Sequence, residues 1–466
     1  MFGSWKPNWP RQKHNPGPPL EGELVEAFGR RPAGHAHNYG VIRLFLSFVL
    51  AATGFRAAAR VLKIAAPLLP SGSPPSANGG QLWLLRLGLY ELRRRKELAD
   101  DWVWLIDHTI QTGKGKCFLV VGVRLSAWNA LRQAALRVAP DESFALRHQD
   151  LSVFLIELME SSTAEGVSQQ LEALSAETGI TPCALLSDQG ADVRRGAELF
   201  CQRADRETVV VFDIAHAVAN AIKRQLNGDP AWERFLSDAN QFKTQVRQTG
   251  CAFLMPPELK NKARWMNLEP LIAWSRRVTA FLADPQPGLD KAQAGLDVET
   301  LRQKLGWITR HTESIARWSE MMAAAGIILK YIRNQGYHPQ ACQELQPLLN
   351  EFRSGPARAM VDECLNFIRQ QSKQCGGQRV LASSEVLESL IGKAKHIQGL
   401  NKNGYTKSIL GLAAAVTDQS IQTLQAAFTA VKVVDVLSWI RAHLGLSLQA
   451  QRQRALPRAL IGTEMG

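Results

Sequence analysis

Two carboxylates stand out by position rather than by type. Asp107 closes the apolar run Val103-Trp104-Leu105-Ile106, and Asp188 closes Ala184-Leu185-Leu186-Ser187. Both runs read as strands, and strand ends in α/β sheets are where ligand sites form. A third carboxylate, Glu385 or Glu388, lies far downstream on a helical stretch. Three carboxylates brought together repel one another, and a hard divalent cation with oxygen ligands is the usual compensation. Two such ions about 3.5–4 Å apart can activate a water or hydroxyl and stabilise the leaving oxygen in phosphoryl transfer. The plainer reading is that each Asp only caps its strand and accepts a hydrogen bond from the next turn. The pair, in this strand order, favours the chemical reading.

The elements that must position these acids follow from periodicity. Residues 101–226 alternate short apolar runs with helical patterns. Strands are expected at residues 102–107, 116–123, 151–158, 181–187 and 209–213. The order is strand, strand, strand, helix, strand, helix, strand, helix, which predicts a mixed α/β layer fold. Residues 227–375 break the alternation and read as an all-helical block, with helices at 230–248, 269–283, 298–333 and 357–373. A block of about 150 residues has the size of a domain. After Gly376-Gly377, residues 383–396 form a helix opened by Ser-Ser-Glu, an N-cap signal. This segment, 376–410, completes the core. Residues 411–466 read as helices and a basic tail.

Residues 1–38 are rich in Pro, Gly, His and Arg and read as a flexible basic arm. Residues 39–98 look like a small helical module. Stretches 41–51 and 55–64 meet at Thr53-Gly54, the Pro/Gly-rich stretch 67–80 is a loop, and a helix over 81–96 ends in Arg93-Arg94-Arg95-Lys96.

Composition narrows the function classes. Of 466 residues, 55 are Lys or Arg and 42 Asp or Glu, a net charge of +13. Within residues 1–100 the balance is 14 basic to 6 acidic. A basic excess favours an acidic partner, nucleic acid first and anionic lipid second. Apolar residues make up 45%, enough for sizeable cores. No uninterrupted apolar run reaches membrane-spanning length, and no secretory h-region is evident. The seven cysteines are scattered without a C-x-x-C pair, so neither a disulfide framework nor a zinc finger is supported. A reducing cytoplasm is the expected location.

With these residues in view, the sequence resembles the DDE transposases, which carry an RNase H-like catalytic domain. It is most similar to the branch whose catalytic fold is interrupted by a helical insertion, as in Mutator-like and hAT-like transposases and related bacterial insertion-sequence enzymes. The matching motifs are Leu105-Ile106-Asp107-His108-Thr109, Leu186-Ser187-Asp188-Gln189-Gly190, Asp213-Ile214-Ala215-His216 and Ser384-Glu385-Val386-Leu387-Glu388-Ser389-Leu390. The resemblance covers roughly 101–226 and 383–410, with 227–375 as the insertion. It implies that Asp107, Asp188 and Glu388 hold two Mg²⁺ ions, for which Mn²⁺ could substitute. Glu385 is the alternative to Glu388, because a Ser-Glu pair opening the helix is closer to the hAT-like pattern. Glu388 is favoured by Lys395, seven residues on. Asp213 and His216 match a C/D-x-x-H motif that would orient the scissile phosphate or brace the insertion.

The implied partners are double-stranded DNA, as transposon terminal repeats and as target, and further copies of the chain in a homodimer or higher assembly. Residues 39–98 are compatible with a helix-turn-helix-like module, with the helix over 81–96 as candidate recognition helix. Arg93, Arg94, Arg95 and Lys96 would meet phosphate, or would be a solvated helix end. Lys393 and Lys395 follow the catalytic helix and could hold phosphates. Trp265 is the candidate for stacking on a DNA base, although core packing is the default for each insertion Trp. Two rivals stay open: an RNase H-like structure-specific nuclease or resolvase, and a catalytically silent DNA-binding protein derived from a transposase.

Overall fold

The computed structural model describes residues 26–69, 73–112, 115–159, 161–203, 207–259, 264–284, 298–398, 406–444 and 453–455. Most of the expected N-terminal arm and most of the basic tail lie outside them. The described chain divides into two compact units. Among the described residues, one comprises those within 26–133, 145–211 and 384–455; the other comprises those within 134–144 and 212–383.

In chain order, α1 (Tyr39–Leu50), α2 (Phe55–Ala65) and α3 (Ala77–Arg93) lead into the hairpin β1 (Trp102–Thr112) and β2 (Gly115–Arg124). Then come α4 (Leu125–Val138), β3 (Ser152–Met159), α5 (Ala164–Thr178), β4 (Ala184–Ser187), α6 (Ala191–Arg203) and β5 (Val209–Phe212). The five strands form one sheet in the order β3-β2-β1-β4-β5. β1 pairs antiparallel with β2, β2 antiparallel with β3, and β1 parallel with β4. The fold is mixed α/β, as the sequence pattern predicts.

One face of the sheet carries Trp102, Trp104, Ile106, Phe118, Val120, Phe154 and Leu185. It packs on Val167, Leu171 and Leu174 of α5 and on Val193, Ala197 and Phe200 of α6. α5 is bounded by a Thr163 side chain that accepts from Gly166 N and by Gly179 at φ 68°. Strand alternation puts Val103, Leu105 and Asp107 on the other face. α3 and α15 (Leu410–Val416) touch β3, and α14 (Glu385–Gln398) touches β1.

Residues 39–98 share this unit with the sheet rather than forming a body of their own. α3 is the reason. It buries Trp83, Leu84, Leu85, Arg86, Leu87, Gly88, Leu89 and Glu91. It packs on α15, α16 (Ile421–Ala430) and α17 (Val433–His443). The Arg86 guanidinium donates to the Val431 and Phe428 carbonyls, both at 2.7 Å. α3 is thus a central helix, not one laid open for a DNA groove. It also starts earlier than the composition of residues 67–80 suggests, because the Ser76 side chain caps Gly79 N at 3.0 Å. Gly80 belongs in that helix because a Cβ there would meet the Phe45 ring at 2.0 Å.

The basic run after α3 is divided. Lys96 is only 6% exposed. Its ammonium donates to Glu91 Oε1 at 3.1 Å, and Arg94 donates to Glu91 and, at 3.0 Å, to Ser152 Oγ. Burial pulls Lys96 down to about 8, against the pull of Glu91. Arg94 and Lys96 therefore tie α3 to β3, whereas Arg93 and Arg95 are exposed.

Among its described residues the second unit is helical apart from a bridge between Tyr337 and Val380. Its helices are α7 (Ile214–Leu226), α8 (Pro230–Val246), α9 (Glu269–Ala283), α10 (Val298–Leu305), α11 (Thr312–Gln335), α12 (Ala341–Leu345) and α13 (Gly355–Gln374). It is longer at both ends than the 227–375 read from the pattern. Trp232, Trp274, Trp307 and Trp318 join Phe235, Phe242 and His311 in one aromatic cluster, so these four are core. Among the described residues no single helix is long and apolar enough to cross a membrane.

Gly88 marks the closest approach in the first unit: a Cβ there would stand 2.0 Å from the Leu410 carbonyl oxygen. Backbone cannot move aside as a side chain can. Gly88→Ala gains about 1 kcal/mol in helix propensity but overpacks a helix contact at a cost of about 1–3 kcal/mol or more. The expected outcome is net destabilisation, read as a lower urea midpoint.

Candidate active site on the five-stranded sheet

The parallel ladder between β1 and β4 runs from Val103↔Ala184 to Ile106↔Ser187. Asp107 and Asp188 are the next residue on each side. The sheet therefore brings these two acids to adjacent positions, both half-buried. Asp107 does not end its strand, contrary to the sequence reading. β1 continues to Thr112 against β2 alone, with Asp107 opposite Leu119 and His108 opposite Phe118. What ends at Asp107 is the partnership with β4.

Each acid also has a local backbone role. His108 N donates to Asp107 Oδ1 at 2.6 Å. Gly190 N donates to Asp188 Oδ1 at 2.9 Å and turns the chain toward α6. The capping role and the chemical role are compatible, since a carboxylate has lone pairs on two oxygens.

Glu385 and Glu388 occupy the first turn of α14, both half-buried. Glu388 N donates to the Ser384 carbonyl, which starts the helix. Val386, Leu387, Leu390, Ile391, Ala394 and Ile397 form its buried stripe. α14 touches β1, the strand that carries Asp107. That contact does not by itself choose between the two glutamates. Among the described residues, no three His, Cys, Asp or Glu side chains are grouped so as to hold a metal ion. Cysteine chemistry has no support here: burial pushes Cys117 up to about 12 and Cys183 up to about 11.

A polar cluster that sequence reasoning missed stands beside the two aspartates. Lys116 Nζ donates to Asp192 Oδ2 at 3.2 Å, and Ser162 Oγ and His108 Nε2 share a hydrogen bond of 3.1 Å. The His108 imidazole is held below its usual pKa, first by burial and then by Lys116, with Asp192 and Asp188 opposing. The Lys116 hydrogen bond holds Asp192 below the usual carboxylate range. The signal was present: Asp192 follows Asp188 by one helical turn, and Lys116 sits across the hairpin from Gln111.

Further along α14, His148 Nε2 and Ser389 Oγ share a hydrogen bond of 3.1 Å. Burial, and then Lys393, brings His148 down to about 4. Lys393 is half-buried and lowered by burial, whereas Lys395 is exposed.

In the second unit, Asp213 is 1% exposed and caps α7. Its Oδ1 accepts from His216 N at 2.9 Å and pairs with His216 Nδ1 at 3.2 Å. Tyr337 Oη donates to the Phe212 carbonyl at 2.7 Å, Phe212 N donates to Gln371 Oε1 at 2.8 Å, and Ile214 N donates to the Ala382 carbonyl at 3.0 Å. These contacts give Asp213 and His216 a bracing role where the chain enters the helical unit beside the segment that leaves it. Trp265 is half-buried on a short 3-10 turn that packs on α7.

No protein-family model and no curated protein matches the chain.

Two stability outcomes follow. Asp188→Asn keeps the oxygen that accepts from Gly190, so its urea midpoint should stay within about 0.5 kcal/mol of the parent, as for substitutions away from critical contacts. Asp213→Ala removes both a helix cap and the buried partner of His216, and should cost about 1–3 kcal/mol by the same measurement.

Proposed function

We propose that this chain is a DDE-type DNA transposase with an RNase H-like catalytic core, acting on transposon ends and target DNA. The observation that carries the reading is the strand order β3-β2-β1-β4-β5 with an acid on each strand one step past the Ile106↔Ser187 end of the β1–β4 ladder. That order, with β1 to β3 antiparallel and β4 parallel to β1, is the arrangement the family resemblance implies. The third acid, on a helix that touches β1 and directly follows the helical unit, supports it as well.

Oxygen donors from Asp107 and Asp188 fit a hard cation. Mg²⁺ commonly binds through one or two carboxylates and keeps several waters, so a pair suffices to hold it. When bound, Mg²⁺ or Mn²⁺ would polarise the scissile phosphate and make water a stronger nucleophile. The two aspartates fix where the phosphate sits relative to the sheet edge. Glu388, or Glu385 in its place, is the third acid of the set. Water attacks the phosphorus at the transposon end, forming one P–O bond as the bond to the 3′ oxygen breaks. The freed 3′-hydroxyl then attacks a target phosphate in line, again exchanging one P–O bond for another. No covalent enzyme intermediate is required, and the chain's task is positioning and charge stabilisation.

The test is nicking of a labelled duplex carrying the terminal repeat that flanks the gene, with Mg²⁺, Mn²⁺ or EDTA. Cleavage at the repeat boundary should need the metal. Even outer residues around metal sites cost about 10–100-fold when changed, so Asp107→Asn and Asp188→Asn should each lose about 100-fold or more. Repeat binding should persist in both. Glu388→Gln should match them and Glu385→Gln should not. Wild-type nicking by Asp188→Asn would refute the reading, and preference for branched DNA over the repeat would favour a structure-specific nuclease.

A further inference from the structure

α3 is buried, so the helix that meets DNA must be sought elsewhere in the basic N-terminal region. Between Glu26 and Glu91 the sequence has no Asp or Glu but seven Lys or Arg. Arg86 is one of these, and the fold consumes it. Three others lie on α2.

α2 is seated by Ala58 and Leu62, one turn apart, which are its buried residues. They pack toward α1 and α3. Arg56, Arg60 and Lys63 are exposed. At about 100° per residue they fall on the side of the helix opposite the Ala58–Leu62 seam. Val61 and Ile64, 42% and 80% exposed, lie beside them. α1 and α2 are joined by only residues 51–54. Thr53 N donates to the Phe48 carbonyl at 2.9 Å, and the Phe45 and Phe55 rings stack at 6.5 Å. This is a helix, a short turn and a second helix whose outer face is basic.

Two polyanions could meet such a face. A helix lying on a membrane inserts its apolar side into lipid while its basic side faces the headgroups. The apolar seam of α2 is already spent inside the protein, so only the basic side and its Val61/Ile64 flank are on offer. That combination suits a duplex. Arg and Lys take phosphates, and apolar side chains meet thymine methyls in the major groove.

We infer that α2 is the duplex-DNA contact helix, with Arg56, Arg60 and Lys63 on phosphates and Val61 and Ile64 against base edges. The inference rests on the reading of the chain as an enzyme that acts on DNA, and names the surface that would recognise it.

The experiment is fluorescence anisotropy of two labelled duplexes, the flanking terminal repeat and its scrambled counterpart, over a KCl series. The proteins are the full chain, the triple variant Arg56→Gln/Arg60→Gln/Lys63→Gln, and Ile64→Ala. All four positions are exposed, so circular dichroism melts should be unchanged. Each lost phosphate contact lowers the slope of log affinity against log salt by about 0.9. The triple variant should therefore lose about 2–3 from that slope and at least about tenfold in affinity for both duplexes. Ile64→Ala should keep the slope and narrow the gap between repeat and scrambled DNA. An unchanged slope in the triple variant overturns the inference alone, since the parent still binds DNA and the catalytic reading stands. Loss of binding to phosphatidylserine vesicles, with duplex binding intact, also overturns it in favour of a lipid surface. A parent chain that binds no duplex at any salt overturns both this inference and the proposed function.

Discussion

The structure around the candidate site depends on one short parallel ladder. Four residue pairs between β1 and β4 fix the register in which Ile106 faces Ser187. Because side chains alternate faces, a slip by one residue would send Trp104, Ile106 and Leu185 out of the α5/α6 core. The apolar layer thus enforces the register. Asp107 and Asp188 occupy neighbouring positions because the residues before them are required in the core. The placement of the acids is a consequence of packing, and no contact between the acids themselves is needed to secure it.

Much of this was legible in the sequence because the strands are apolar on both faces and the helices are periodic. β4 is apolar up to Ser187 and β5 is apolar throughout, and the helical pattern gives α9 to its terminal residues. The errors have physical sources. Asp107 looks like a strand end because the residues after it are polar. They remain a strand only by pairing with β2, which a one-dimensional pattern does not show. α4 was missed because it begins directly after β2, with no Gly, Pro or Asn to punctuate the junction. Lys96 looked like part of a solvated basic end, but Glu91, five residues earlier, is buried and draws it in. Replacing Glu91 would leave Lys96 as an unpaired charge in the interior, the costly half of a buried ion pair. The basic run therefore serves stability at two of its four positions, and the exposed basic face lies on α2 instead.

In chain order the helical unit stands between segments of the unit that carries the sheet. Its chain enters at Phe212 and Ile214 and leaves at Val380 to Ala382. The Ile214–Ala382 hydrogen bond and the Tyr337–Val380 bridge hold these segments within the unit. Chain ends that lie close together are what make insertion of a domain tolerable. Asp213 belongs to this junction. Its buried carboxylate caps α7 and holds His216, so the motif reads first as a brace for the helical unit, and any effect on chemistry would pass through position.

Two carboxylates at adjacent strand positions repel one another when both are ionised. Backbone donors from His108 and Gly190 offset part of that cost, since a donor to an ionised oxygen contributes about 1.5–3 kcal/mol. A core-forming sequence has no reason to keep two acids at this point if capping were their only task, because Asn or Ser would cap each turn without the repulsion. Either acid alone would be an ordinary strand or turn residue; the two at adjacent positions are what distinguish this point of the sheet.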